Sequence, residues 1–434
     1  MACIDYETRH LQQLRPHLAE CTVLLQSNGD FPLEQPCPIA VYGSGVRHTV
    51  KGGTGSGEVN SRHYVNVEQG LQRAGFSVTT TDWLDRYDRM YAEARKQFIK
   101  DLQVQARRHH TLAVLEGMGK VMPEPDYALP LDGTGEIAVY VLARISGEGS
   151  DRDLIPGDIL LTETEIRDIL ALRQKYAKFL LVLNVGGPVD LSPVANVENI
   201  LLLSQLGVET GDALADILLG KANPSGKLTT TWADWKDYAP MADFGNWDDT
   251  RYREGIYVGY RYFDSVGKQA RYPFGHGLSY TTFAIDRPEV ALQGSLVTVR
   301  ATVRNTGSFP GKEVLQVYLS CPAGKLDKPW QDLAAFAKTP ELAPGDQAEV
   351  TVAFDLRDLA SYDEEEACFL LERGNYIVRV GNSSANTCPA ALIRLDADVT
   401  VTQTKPCCGK PDFADWKPET PIVGTVPADI PILT

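Results

Sequence analysis

The sequence has few basic residues for its length, and this shortage argues against the partners that positively charged proteins bind. Its 434 residues carry 42 Lys and Arg against 57 Asp and Glu, which gives a net charge of −15. Such a field repels phosphate, so nucleic acid and anionic membranes are poor candidate partners. No apolar run approaches the roughly 18 residues of a membrane span, so membrane insertion is not predicted.

Export signals and metal motifs are also missing. The N-terminus, Met1–Glu7, does not have the basic stretch followed by an apolar stretch that marks an exported protein. The eight cysteines show no paired CxxC spacing, and no histidines stand at metal-ligand spacing. We therefore predict a cytoplasmic protein whose thiols are reduced and mostly buried, with no metal and no cofactor.

The first 280 residues alternate short apolar runs with longer amphipathic ones. An apolar stripe from Leu11 to Leu25 predicts an opening helix, which Pro16 kinks or starts. The alternation that follows predicts an α/β fold, a three-layer α/β/α sandwich around a largely parallel sheet. The predicted strands are Ile39–Tyr42, Phe76–Thr80, Thr111–Leu115, Ile137–Leu142, Phe179–Val185 and Ile200–Ser204, and the predicted helices are Trp83–Arg108, Thr162–Tyr176 and Gly211–Leu219.

The pattern then changes to alternating polar and apolar residues separated by turn clusters. Runs such as Leu296–Val303 and Val314–Leu319 predict an all-β sandwich. We assign residues 1–285 to the α/β/α domain, 286–402 to the β-sandwich and 403–434 to a proline-rich linker or tail. Because ligands gather at the carboxyl ends of parallel strands, the loops after Tyr42, Leu142 and Val185 are the first candidates for chemistry.

A glycine-rich loop over residues 43–60 raises the possibility of a phosphate cradle. The loop does not have the Gly-Lys-Ser/Thr ending of a P-loop, and its last glycine precedes Glu58, whose charge opposes phosphate. A backbone loop that packs tightly on another surface is the better interpretation.

The stronger candidate is Glu148, in the run Ser146–Arg152 just after a predicted strand. Flanking glycines leave its carboxyl free of neighbouring side chains, and a reachable glutamate at this edge of a sheet suits a general acid or base. From the residues alone, however, a solvated loop carboxylate paired with Arg152 or another base is the favoured interpretation.

Other catalytic patterns are not found. A Ser/His/Asp triad cannot be assembled from spacing and no GxSxG motif is present, while His276 could be structural or could line a site. The aromatic residues between Tyr252 and Phe263 are more typical of packing than of a sugar platform.

Five motifs in a fixed order resemble glycoside hydrolase family 3, and the β-rich segment after them resembles that family's fibronectin-III-like domain. They lie within the first 283 residues, and the resemblance covers nearly the whole chain except its first turn or two and its tail. The motifs are Lys51–Asn60, Ser146–Arg152, Asn223–Leu228, Glu254–Phe263 and Phe274–Phe283.

The resemblance implies a retaining exo-glycosidase, most plausibly a β-glucosidase, with β-xylosidase as a close second. In such enzymes an (α/β)8 barrel supplies an aspartate nucleophile and most groups that hold the sugar. The α/β sandwich supplies the acid/base glutamate, which here corresponds to Glu148, while Asp151 and Arg152 shape or brace its loop. The expected substrate is a β-glucoside or a related oligosaccharide.

This chain departs from the family pattern in one respect. No segment is left over for a barrel of roughly 250 residues, and the Asp-Trp pairs at Asp82, Asp234 and Asp415 lie in the wrong context for the nucleophile. We therefore expect the amino-terminal part of an enzyme with reversed domain order, a cleavage product, or a subunit that needs a barrel partner. A non-catalytic carbohydrate-binding or assembly module that keeps the family scaffold is the alternative.

Overall fold

A computed structural model describes residues 5–57, 59–118, 120–145, 152–238, 250–407, 409, 411–419 and 429–434. The chain divides into two compact units. The first comprises residues 1–226 with 277–280, and the second comprises residues 227–276 with 281–434. The predicted boundary at residue 285 follows the change in sequence pattern, whereas these units group residues 227–276 with the β-rich part of the chain.

The first unit is built on a six-stranded sheet. Its strand order is β1-β6-β5-β4-β2-β3, with every neighbouring pair parallel except β1 and β6. The elements are α1 (Asp5–Leu14), β1 (Val23–Gln26), β2 (Pro38–Tyr42), α2 (Val67–Arg73), β3 (Ser77–Val78), α3 (Thr81–Arg108), α4 (Ala113–Glu116), β4 (Ile137–Arg144), α5 (Glu163–Lys175), β5 (Lys178–Val185), β6 (Ile200–Leu202) and α6 (Thr210–Leu218).

The two central strands explain why this sheet forms a three-layer sandwich. Almost every residue of β4 and β5 is buried, whichever face of the sheet its side chain occupies. A strand that is apolar on both faces must be covered on both sides, and parallel strands are joined by helices that provide this cover. The predicted α/β/α architecture is confirmed.

The second unit is rich in β-structure, as predicted. Its strands form sheets with the orders β10-β9-β14-β15-β17, β11-β8-β7 and β12-β13-β16. The elements are α7 (Tyr260–Val266), β7 (Phe283–Gln293), β8 (Leu296–Asn305), β9 (Val314–Ser320), β10 (Asp332–Lys338), β11 (Gln347–Asp355), β12 (Ser361–Asp363), β13 (Cys368–Leu371), β14 (Gly374–Ser383), β15 (Asn386–Leu395), β16 (Val399–Gln403) and β17 (Ile432–Leu433).

Alternation along β8 produces the core of this unit. Val297, Val299, Ala301 and Val303 are buried while the residues that alternate with them are more exposed, the period of two that defines a strand with one buried face. Tyr376 donates a hydrogen bond of 2.7 Å to the Glu372 carbonyl, a tyrosine-to-backbone bond of the kind found in β-sandwiches. The described tail residues return to this unit, because β17 pairs in parallel with β15.

Two local predictions were wrong. The opening helix ends at Leu14, a 3-10 helix follows over Arg15–Cys21, and Val23–Gln26 form β1. These apolar residues pair with β6, so their burial comes from the sheet and not from a helical stripe. The segment predicted as the strand Thr111–Leu115 contains the short helix α4 instead, and the sheet places β2 directly beside β4.

Helices α2 and α6 approach so closely that only glycine fits between them. A Cβ atom on Gly211 would lie 1.9 Å from the Asn66 carbonyl oxygen, and one on Gly70 would lie 2.1 Å from the Gly211 carbonyl. Both clashes involve backbone atoms, which cannot rotate away as the end of a side chain can.

We predict that Gly211→Ala destabilises the chain by about 1–3 kcal/mol or more, because overpacking forces the two helices apart. Gly409→Ala is the control, since a Cβ atom there meets nothing within 4 Å. The measurement is the free energy of unfolding of both variants in denaturant. Equal stability of the two variants would contradict this packing argument.

Candidate active site

The candidate site lies at the carboxyl edge of the six-stranded sheet, where the loops after β2, β4 and β5 emerge. Glu148, the predicted acid/base, belongs to residues 146–151, which lie outside the described residues. The chain is described up to Ile145 and again from Arg152. The residues that precede and follow this loop define where its two ends are held.

Arg144, the last residue of β4, anchors the chain just before the loop. Its guanidinium is almost completely buried and donates a 2.7 Å hydrogen bond to the Glu165 carboxylate, which is also buried. The same guanidinium donates to the carbonyl oxygens of Ala143 at 2.8 Å and Asp158 at 2.9 Å. A buried charge is tolerated only when it is paired and hydrogen-bonded in this way, so the position of Arg144 is strongly constrained.

Glu165 also determines where helix α5 begins. Thr162 and Glu165 form a capping box: the Glu165 backbone N–H donates to the Thr162 hydroxyl at 3.1 Å, and the Thr162 N–H donates to the Glu165 carboxylate at 2.8 Å. One carboxylate thus starts a helix and neutralises the arginine at the end of β4.

Arg152 anchors the chain just after the loop, and it bonds to Asp158, which also accepts a hydrogen bond from Arg144. Its Nε donates to the Asp158 carboxylate at 2.7 Å and its Nη1 donates to the Pro188 carbonyl in the loop after β5. The other Asp158 carboxylate oxygen accepts from the Asp153 N–H at 2.6 Å. Asp158 therefore binds Arg144 through its carbonyl and Arg152 through its side chain, which joins both ends of the loop that carries Glu148.

The glycine-rich loop is held at the same edge by Asn184, a buried residue near the end of β5. The Asn184 amide accepts from the Val50 N–H at 2.6 Å and donates to the carbonyl oxygens of Val50 and Ser204. This contact agrees with a loop that packs by its backbone. Glu58, which argued against phosphate binding, lies outside the described residues.

A second buried carboxyl, Glu124, lies beside Arg144. It accepts a hydrogen bond of 2.6 Å from the Tyr87 hydroxyl, and Ser44 in the loop after β2 also bonds to it. Burial, followed by the charge of Glu165, raises the pKa of Glu124 from 4.5 to about 7. The charge of Arg144 lowers the pKa of Glu124, but burial and the charge of Glu165 outweigh it.

The other residues considered from the sequence, which are the aromatic cluster, His276 and the Asp-Trp pairs, mostly serve packing. Tyr257, Tyr260, Tyr262 and Phe263 are buried, whereas Tyr252 is largely exposed. The His276 ring stacks on Tyr272 at 5.5 Å. Of the Asp-Trp pairs, Asp234 is paired with Arg271 at 2.8 Å and Trp416 packs edge-on against Tyr257.

Sequence reasoning missed the network of Glu124, Arg144, Asp158 and Glu165. Two signals were present: a charged residue ending an apolar strand, and the capping-box spacing of Thr162 and Glu165. Nothing in the local pattern around Glu124 predicts that it is buried.

No group of three or more His, Cys, Asp or Glu in the described part of the chain is arranged to hold a metal ion. The six cysteines that lie within the described ranges are all free thiols, but Cys368 alone among them is buried, so the prediction of mostly buried thiols was wrong. Among the helices described, none is long and apolar enough to cross a membrane.

The fold and the edge geometry define an α/β/α sandwich domain with a loop-built site at the carboxyl ends of its strands, followed by a β-sandwich. Residues 22–280 match the Glycosyl hydrolase family 3 C-terminal domain, and residues 313–384 match a Fibronectin type III-like domain. The chain belongs to glycoside hydrolase family 3.

Similar proteins carry names from the same family. The chain is 34% identical to Beta-glucosidase A of Butyrivibrio fibrisolvens over 87% of this chain and 50% of that protein. It is 33% identical to a Beta-glucosidase of Ruminococcus albus over 89% of this chain and 40% of that protein. Among solved structures, beta-glucosidase 3B from Thermotoga neapolitana in complex with glucose is similar, with a TM-score of 0.75 and 35% identity over 91% of this chain and 55% of that one. The chain thus spans about half the length of these relatives.

We predict that the contribution of Glu124 to the free energy of unfolding decreases as the pH rises. A carboxyl whose pKa is 4.5 when unfolded and about 7 when folded stabilises the fold fully below pH 4.5, and this contribution is lost as the pH rises through 7. The loss is on the order of 3 kcal/mol. Relative to the parent chain, Glu124→Gln should therefore become more stable as the pH increases from 4.5 to 7.

Denaturant unfolding between pH 4.5 and 8 measures this difference, and Trp83, which stacks on Tyr87, provides a fluorescent reporter within the same unit. Glu163→Gln, an exposed carboxyl in the first turn of α5, is the matched control. Parallel curves for the parent chain and Glu124→Gln would contradict the prediction.

Proposed function

We propose that this chain is the acid/base-bearing part of a retaining exo-glycosidase that hydrolyses terminal β-D-glycosides, with β-glucosides as the preferred substrates. The proposal rests on the hydrogen bonds that join Arg144 and Arg152, on either side of the Glu148 loop, to Asp158. The similar members of the family are named β-glucosidases. A glutamate loop attached at both ends to Asp158 suits a group that must be presented to a substrate in a defined position.

In the proposed mechanism Glu148 acts twice. It first donates its proton to the departing glycosidic oxygen while an aspartate attacks the anomeric carbon and forms a covalent glycosyl-enzyme. The resulting carboxylate then takes a proton from a water molecule, which attacks the same carbon and releases the sugar. The Glu148 carboxyl is thereby protonated again, and each step conserves charge and protons.

The nucleophile is proposed to lie outside these 434 residues, on an (α/β)8 barrel. Two facts support this: the chain spans about half the length of its relatives, and its family match is to a domain described as C-terminal. The two carboxyls of a retaining glycosidase must stand about 5 to 5.5 Å apart, so the barrel has to reach the carboxyl edge of the sheet. The reversed order of domains stays a prediction. The cytoplasmic location is also a prediction, which cell fractionation tests.

We predict that the purified 434-residue chain does not hydrolyse aryl β-glucosides. A general acid without the opposed nucleophile and the sugar subsite cannot stabilise an oxocarbenium-like transition state. The measurement is release of the aryl group, with the barrel-containing protein as the positive control. Robust turnover by the 434-residue chain would overturn the assignment of the nucleophile to another domain.

We predict that Glu148→Ala in the barrel-containing protein has an effect that depends on the leaving group. General acid catalysis contributes about 10²- to 10⁴-fold, so glycosides with poor leaving groups should lose about that much. Activated aryl glycosides should lose much less in their first step. Azide should restore turnover, because it attacks the glycosyl-enzyme without needing a base.

Glu163→Ala, which removes an exposed carboxylate from the same unit, is the control and should leave these rates unchanged. Equal losses for good and poor leaving groups would rule out the acid/base role. Sugar binding without any hydrolysis by the barrel-containing protein would favour the alternative function, a carbohydrate-binding or assembly module.

A further inference from the structure

The second half of α3 extends away from the body of its unit. At 1.5 Å per residue, the twenty residues 89–108 span about 30 Å. Ala106 is the only one of them that is buried, although the structure describes this stretch completely. We call residues 89–121 the arm; the structure describes all of it except residue 119.

The arm leaves and rejoins the unit at the carboxyl edge of the sheet. On the outgoing side, the Tyr87 hydroxyl bonds to Glu124, and the Tyr91 ring lies 4.7 Å from the ring of His48 in the loop after β2. On the returning side, the Glu124 backbone N–H donates to the Gly157 carbonyl, one residue before Asp158. Both ends of the arm are therefore fixed beside the residues that anchor the Glu148 loop.

The arm carries an apolar patch that the described residues of its own unit leave largely exposed. Leu112, Val114, Leu115 and Met118 are 69%, 79%, 54% and 62% exposed. Ile99 and Val104 on α3 are also nearly half exposed. Single exposed apolar residues are ordinary, but six large ones on one projecting hairpin are typical of a protein interaction surface.

The charge of the arm is opposite to that of the rest of the chain. It contains seven Lys and Arg against three Asp and Glu, a net charge of +4 in a chain of −15. Exposed apolar residues in a segment of net positive charge favour a partner whose facing surface is apolar and carries acidic residues.

From these observations we infer that the arm is the docking element for the domain that brings the nucleophile to Glu148. This inference rests on the proposed function. The nucleophile domain must approach the carboxyl edge to within a few ångströms of Glu148, and the arm projects from that edge. A domain that occupies this position can cover the patch, and the length that separates this chain from its relatives is sufficient for such a domain.

Hydrogen exchange tests the docking directly. The comparison is between the 434-residue chain and the active, barrel-containing protein that includes it, at equal concentration. We expect amides of residues 99–118 to exchange at least about tenfold more slowly in the barrel-containing protein, because docking protects helical amides from opening. Equal exchange in the two proteins would overturn the inference. Protection in the 434-residue chain that increases with its own concentration would also overturn it, because it would identify a second copy of the chain as the occupant of the patch.

Substitutions on the patch test its contribution to activity. Leu115→Asp in the barrel-containing protein should remove the protection and lower kcat/KM for β-glucosides by about tenfold, the size of effect expected for one interface residue. Phe336→Asp is the matched control, because Phe336 is 66% exposed and lies in β10, not on the arm. The melting temperature of the 434-residue chain should be the same with and without Leu115→Asp, since the side chain is exposed.

The results distinguish a failure of the docking inference from a failure of the proposed function. If kcat/KM and protection are unchanged by Leu115→Asp while Glu148→Ala shows its leaving-group dependence, the docking inference is wrong and the acid/base assignment stands. If Glu148→Ala affects all leaving groups equally, the proposed function is wrong, whatever the arm variant does.

Discussion

The buried guanidinium of Arg144 is the group on which the organisation of the carboxyl edge depends. It ends the central strand β4, and burial removes it from water, so every donor must find an acceptor inside the protein. Glu165 provides the charge, and the carbonyl oxygens of Ala143 and Asp158 accept the other bonds. Removal of any one of these partners would leave a buried polar group unsatisfied, which costs more than the lost bond itself contributed.

This requirement connects parts of the chain that are far apart in sequence. Glu165 caps α5 while it neutralises Arg144, and Asp158 bonds to Arg144 and Arg152 on either side of the Glu148 loop. The carboxyl of Glu124 lies near enough to interact with the Arg144 charge, and its hydrogen bond from Tyr87 fixes the base of the arm. The loop with the proposed acid/base and the arm with the proposed docking surface are thus held by one polar network.

Local sequence patterns predicted the main elements well. The apolar runs at β2, β4 and β5 and the long amphipathic helix α3 were identified from their periodicity, and the alternating runs predicted the β-rich second unit. The failures occurred where a short apolar run suits a helix or a strand equally well. Val23–Gln26 became a strand because β6 offers an antiparallel partner, whereas residues 113–116 form a short helix next to α3 and have no strand partner among the described residues.

The sequence by itself determined the fold class, the family and the identity of Glu148 as the candidate acid/base, because these depend on periodicity and on motifs of adjacent residues. Only the tertiary structure decided that Asp158 and Glu124 meet the buried pair of Arg144 and Glu165, and that the apolar residues of α4 are left exposed. The physical reason is that burial and charge pairing depend on which distant segments meet in space. Glu124 and Glu165 are 41 residues apart in sequence, yet both lie close enough to Arg144 for their charges to act on it.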